Sequence, residues 1–128
     1  MFPEELKNKL KHVHAYAVTP FKKDDILSVD LDGFAKNVAF MADKGVKIIV
    51  VGGGTGEVNS LSLDELEAMT RSALEVAGDR ALIIPALPDN LSAAAALVPR
   101  YDKIGVRVVL GMAPFIRNTI PEDMEGVF

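Results

Sequence analysis

The chain contains no cysteine. That excludes disulfides, thiolate metal sites and a cysteine nucleophile, and it is compatible with a cytoplasmic protein. Histidine is scarce as well, with only His12 and His14 present. At period-two spacing they would share one face of a strand, where a solvated or internally satisfied pair is expected rather than a metal site. No apolar run reaches the ~18 residues that a membrane span requires. No basic run is present and the net charge is −4, so neither nucleic acid nor an anionic membrane is an expected partner. Residues 1–11 are polar and lack the apolar core of a signal peptide. A cytoplasmic location is the expectation, with no cofactor and no metal.

What is present suits one soluble globular domain. The 128 residues are 49% apolar and 25% charged, ordinary values for such a domain and enough for a real core. The organising stretch is Val50-Val51-Gly52-Gly53-Gly54-Thr55-Gly56-Glu57. Residues 48–51 are apolar and read as a buried strand that runs straight into glycines. A strand ending in glycines presents bare backbone N–H groups, which can hold a carboxylate or a phosphate. A tight strand-to-helix turn without a ligand has the same composition.

Taken in order, residues 4–11 form a short polar helical lead-in. Residues 12–18 are the first strand candidate, ended by Thr19-Pro20-Phe21. Asp30 is a credible N-cap for a helix whose apolar stripe is Leu31, Phe34, Val38 and Met41, closed by Gly45. Residues 46–51 are the second strand, apolar throughout as in a parallel sheet buried on both faces. Ser62 and Glu65 make a capping-box pattern for a second helix through Leu66, Met69, Ala73, Leu74 and Ala77. Residues 81–84 are the third strand, followed by the turn residues Pro88-Asp89-Asn90. Ser92 is the expected cap of a third helix, which Pro99 should kink or break at about 3 kcal/mol if uncompensated. Tyr101 on that helix reads as a core or interface residue, and Ala93 to Ala96 as close-packing surface. Residues 106–110 are the fourth strand, residues 111–119 a loop, and Pro121 opens a fourth helix.

Strand starts near residues 12, 47, 81 and 106 mark four strand–helix units with no linker between them. Alternation of this kind means a parallel sheet with right-handed crossovers. Eight units of this size come to roughly the 250 residues of a (β/α)8 barrel. The expectation is therefore an α/β chain forming residues 1–128 of a single TIM-barrel domain: its N-terminal half, four βα units of a longer barrel. A complete flavodoxin-like domain is the competing arrangement.

Three stretches align with one family: Thr19-Pro20-Phe21 after strand one, Gly53-Gly54-Thr55-Gly56-Glu57 after strand two, and Pro114-Phe115 after strand four. Together they resemble the dihydrodipicolinate synthase and N-acetylneuraminate lyase family of (β/α)8 barrels over residues 12–128. The resemblance implies a lyase of the class I aldolase type, in which a lysine amine forms a Schiff base with a 2-oxo acid. It implies that the glycine turn holds the substrate carboxylate, with Gly53, Gly54 and Thr55 as substrate-binding residues. Phe115 and Arg117, in the loop after strand four, join them at the mouth; Arg117 would clamp a distal carboxylate. The family's catalytic lysine and main tyrosine lie on the sixth and fifth strands, outside these residues. Lys47 starts strand two, the wrong end of a barrel strand for catalysis.

Two positions depart from the synthase pattern. Its proton-relay hydroxyl in the turn is replaced by Gly54, and its tyrosine two residues after the strand-four proline by Ile116. Both changes resemble the branch of dehydratases acting on 5-dehydro-4-deoxyglucarate, although Phe115 stands where that branch carries a tyrosine. The partner implied is a small-molecule 2-oxo acid, pyruvate-like or a sugar acid, and the full-length family is commonly homotetrameric. Two other classes remain open: a small anion- or nucleotide-binding α/β module and a noncatalytic barrel relative. Neither a P-loop nor a clean dinucleotide fingerprint is present. Glu57 reads as an acid/base or, more simply, as a residue that caps or orients the turn.

Overall fold

The computed structural model describes residues 3–113. It contains helix α1 (Pro3–Lys9), strand β1 (His14–Tyr16), helix α2 (Leu31–Asp43), strand β2 (Ile48–Val51), helix α3 (Leu63–Ala77), strand β3 (Leu82–Pro85) and helix α4 (Leu91–Lys103). The expected loop beyond Ala113 and the helix at Pro121 lie outside the described residues.

The strands form one parallel sheet in the order β1-β2-β3. A flavodoxin-like sheet would reverse direction and place its second strand at the edge. Here β2 is central, and all four of its residues are buried. Burial of each Ile or Val contributes about 1.5–3 kcal/mol relative to exposure.

Register separates the two faces of the sheet. Ala15 pairs with Ile49, and Ile49 with Ile83. Ile49, Ile83, Ala17 and Val51 pack in one core cluster with Phe34 and Val38 of α2 and with Met69 and Ala73 of α3. The opposite face carries Ile48, Val50 and Ile84, covered by Leu10, Leu82, Val108 and Leu110 rather than by a helix layer. Helices on one face and strand side chains filling the other is the arrangement of a barrel wall and its interior. This is the α/β architecture of the N-terminal half of a (β/α)8 barrel.

Local signals explain most element ends. Asp30 caps α2 by accepting from the Gly33 amide at 2.9 Å. Past the end of α2, Gly45 takes φ +88°, a left-handed conformation that L side chains rarely adopt. Ser62 and Glu65 form the reciprocal capping box on α3. Arg100 of α4 donates to Asp64 at 2.6 Å and to Glu67, which ties α4 to α3. The Glu67 carboxyl is held below its ordinary range by Arg100 and then Arg71.

Four expectations change. The first strand covers only His14–Tyr16, so His12 sits in a bend before it and the histidines do not share a strand face. The cap of α4 is Asn90, whose side chain accepts from the Ala93 amide at 2.9 Å, and not Ser92. Asn is as good a cap as Ser, and Asn90 leads directly out of the turn. Pro99 does not break α4, which runs unbroken from Leu91 to Lys103. The carbonyl it leaves without an intrahelical partner belongs to Ala95, and both residues are exposed to water. Among the described residues, 106–110 form no ladder; only Leu110 bridges to Ala86, through Leu110 N–H to the Pro85 carbonyl and Leu87 N–H to the Leu110 carbonyl, both at 2.9 Å.

The reassigned cap gives a direct test. Asn90→Ala should lower stability by about 1 kcal/mol, whereas Ser92→Ala, one position inside the exposed first turn, should change it by under about 0.5 kcal/mol. Urea unfolding of the two variants beside the parent separates them.

Candidate functional site

The glycine turn leaves the C-terminal end of β2, where Thr19 and the end of β3 also converge. Steric fit dictates two of its glycines. Gly52 has φ +62°, and a Cβ there would lie 2.5 Å from Leu66 Cδ2 of α3. At Gly56 a Cβ would meet the Ala17 carbonyl oxygen at 2.9 Å and the Gly52 Cα at 3.0 Å. No side chain fits either place without moving backbone or core.

Within the turn, Glu57 N–H donates to the Gly54 carbonyl at 3.1 Å and Val58 N–H to the Gly53 carbonyl at 3.2 Å. Val58–Ser60 then make one 3-10 turn leading to the α3 capping box. The whole assembly is braced from β1: Thr19 Oγ1 donates to the Gly56 carbonyl at 2.6 Å, and Thr19 is buried. That link removes a buried hydroxyl and a buried carbonyl from the list of unsatisfied groups at once.

Glu57 is exposed, and so is the pair Gly54-Thr55 ahead of it. Neither N–H finds an acceptor among the described residues, and the Thr55 hydroxyl makes no hydrogen bond there. Two unused amide donors and a hydroxyl at one exposed strand end suit an anionic oxygen. Around Gly54 the space is open, with nothing within 4 Å of where a Cβ would stand. Its lack of a side chain is therefore a matter of the mouth, not of the turn's geometry.

Of the expected site residues, Gly53, Gly54 and Thr55 lie together in this turn. Gly53 is buried beneath the ring of Tyr16, whose Cδ1 would stand 3.1 Å from a Cβ at that position. Phe115 and Arg117 lie outside the described residues. Glu57 occupies the left-handed region at φ +61° and its side chain makes no cap hydrogen bond. It shapes the turn through its backbone. Lys47 is exposed at the opposite end of β2, where it lines a cavity of about 380 Å³ with Lys9, His12, Arg80 and Arg107. That cavity is remote from the glycine turn. His14 donates through Nε2 to the Leu10 carbonyl at 3.1 Å, so it is satisfied internally.

Two residues of the site are not among the expected contacts. Thr19 belongs to the Thr19-Pro20-Phe21 stretch, but nothing local in sequence shows its bond to Gly56, which spans a separation of 37 residues. Tyr16 falls inside the expected first strand, residues 12–18, and nothing local in sequence says which face it takes or that the strand ends there. The other tyrosine, Tyr101, is a core residue: its hydroxyl donates to the Ala86 carbonyl at 3.1 Å, and burial pushes its phenol up to about 12.

The contrast between the glycines is testable without a ligand. Gly54→Ala should be neutral or stabilise by up to about 1 kcal/mol, because it restricts the unfolded chain at no steric expense. Gly56→Ala should destabilise by more than about 1 kcal/mol, since backbone must shift. Thermal unfolding monitored by circular dichroism gives both values.

Comparison with known proteins bears on the same residues. The sequence model of the "Dihydrodipicolinate synthetase family" matches residues 9–128. The chain is 34% identical over 99 residues to the 4-hydroxy-tetrahydrodipicolinate synthase of Acidothermus cellulolyticus, covering 77% of the chain and 32% of that relative. It is 29% identical over 119 residues to the synthase of Methanocaldococcus jannaschii, covering 92% of the chain and 40% of the relative. The fold superposes on the crystal structure of dihydrodipicolinate synthase from Bacillus clausii with a TM-score of 0.88 and 27% identity, over 96% of this chain and 41% of that one. The chain thus spans two fifths or less of the length of these curated relatives. With the parallel half-barrel and the glycine turn at the end of β2 in place, the match over nearly all of its length shows that the chain belongs to the dihydrodipicolinate synthetase family.

Proposed function

We propose that the glycine turn is the carboxylate-binding part of a Schiff-base lyase acting on a 2-oxo acid, and that this chain supplies that part. One observation carries the reading: the N–H groups of Gly54 and Thr55, with the Thr55 hydroxyl, find no partner among the described residues and stand at an exposed strand end. Hydrogen bonds to a charged oxygen are worth about 1.5–3 kcal/mol each, so three donors suffice to hold a carboxylate in place.

A carboxylate fixed there presents its adjacent ketone carbon to a nucleophile. A lysine amine adds to that carbon, the carbinolamine loses water, and the resulting imine takes up a proton. The protonated imine withdraws electrons from the neighbouring carbon, which lets a carbon–carbon or carbon–oxygen bond form or break there. The lysine and the tyrosine that assists it belong, on this reading, to strands beyond residue 128. Phe115 and Arg117 are proposed as further substrate contacts from the loop after Leu110. The proposal extends to a cytoplasmic homotetramer for the full-length enzyme, acting on pyruvate or a sugar acid. Among the described residues no helix is long and apolar enough to cross a membrane.

Position 54 supports a particular branch. A glycine with open space around it offers an amide but no hydroxyl, so a proton cannot be passed from its side chain. That favours a dehydratase or another lyase over a synthase relay.

The test uses the full-length gene product. Borohydride added with pyruvate should leave a stable adduct on one lysine, detected by peptide mass spectrometry. Thr55→Val keeps the shape of the side chain and removes its hydroxyl. It should weaken binding of the 2-oxo acid by about 1–3 kcal/mol and lower the adduct yield at subsaturating pyruvate. Pyruvate binding without any adduct would identify a noncatalytic relative. Unchanged affinity in Thr55→Val would remove that residue from the site.

A further inference from the structure

Tyr16 is the last residue of β1 and pairs with Val50. Paired residues of a parallel ladder point to the same face, so Tyr16 shares the interior face with Ile48, Val50 and Ile84. Those three are aliphatic and buried, whereas Tyr16 keeps 45% of its surface exposed. The next residue, Ala17, is buried in the core of the other face.

Its ring does touch the site. A Cβ on Gly53 would stand 3.1 Å from Tyr16 Cδ1 and 3.5 Å from Cε1. One flank of the ring is therefore seated on the backbone immediately before Gly54 and Thr55. Its hydroxyl has no partner among the described residues, in contrast to Tyr101, whose hydroxyl is buried and bonded to Ala86. A phenol fixed by its ring beside a set of unused amide donors, with its own polar end unsatisfied, has the form of a ligand contact.

We propose that Tyr16 is a ligand-contacting residue of this site: its hydroxyl hydrogen-bonds an oxygen of the 2-oxo acid held at Gly54 and Thr55, and its ring walls off one side of that ligand from water. The proposal rests on the carboxylate-site reading above and adds to it the residue that recognises the ligand from the β1 side. Gly53 is then a glycine for a second reason, since a side chain there would push the ring away from the turn.

The experiment uses the full-length gene product and pyruvate. Calorimetry gives pyruvate affinity for the parent, Tyr16→Phe, Tyr16→Ala and Thr55→Val. Ring-labelled tyrosine NMR follows the phenol directly, with the resonance missing from Tyr16→Phe supplying its assignment. The expected result is a Tyr16 resonance that moves on saturation with pyruvate. Tyr16→Phe should bind pyruvate about 3- to 10-fold more weakly, the loss of one hydrogen bond, with an unchanged melting temperature. Tyr16→Ala should lose more, because the ring goes as well. If Tyr16→Ala does not fold, the Phe variant and the resonance decide the matter. A stationary resonance and parental affinity in Tyr16→Phe, with Thr55→Val still weakened, would overturn the Tyr16 contact and leave the carboxylate site standing. No pyruvate binding by the parent would overturn both.

Discussion

A single buried hydrogen bond, from the Thr19 hydroxyl to the Gly56 carbonyl, fixes what the rest of the structure presents. It couples the chain just beyond β1 to the far side of the turn that leaves β2. With that carbonyl tied inward, the amides of Gly54 and Thr55 are left at the exposed edge of the turn. Two close contacts hold it from the other sides: Gly52 against Leu66 of α3 and Gly56 against the Ala17 carbonyl. The donors are thus held by strands and a capped helix, with little left to the flexibility of a loop.

The sheet beneath this turn is asymmetric in a way that follows from its side chains. The face of Ile49, Val51 and Ile83 meets the apolar stripes of α2 and α3. The face of Ile48, Val50 and Ile84 meets Leu10, Val108 and Leu110. A continuous apolar run such as residues 48–51 is what both demands produce together. Side chains at the C-terminal ends of such strands are the ones a barrel exposes at its mouth. Tyr16, Thr19 and Thr55 all lie at that end, and Lys47 lies at the other.

The fold was largely legible in sequence because its signals are local. Asp30, Ser62 and Glu65 cap where their side chains can reach an amide three residues away, and the apolar run of β2 announces burial by itself. The reading failed where a local rule had two solutions or a distant partner decided. Ser92 and Asn90 are both good caps, and the path of the turn chose between them. The stretch at residues 106–110, β-branched apart from Arg107 and Leu110, has the composition of a strand, yet a ladder needs a partner in register, and among the described residues only Leu110 finds one. The site divides in the same way. Glycines after a strand locate Gly53, Gly54 and Thr55. The brace from Thr19 and the seat of Tyr16 on Gly53 arise only once β1 lies beside β2.

The open space at Gly54 has an evolutionary consequence. Its neighbours two positions away on either side are locked by contact with core and backbone, so they carry the shape. Position 54 carries none of it. Residue changes there can therefore alter the chemistry proposed for the mouth without passing through unstable ancestors, since the scaffold does not register them. A protein built this way separates the positions that selection for foldability restrains from the one that selection for chemistry can explore. On the proposal that the turn holds a carboxylate, one such free position beside fixed amide donors is enough for a barrel of this kind to vary its chemistry while the grip on the acid end of a ligand stays the same.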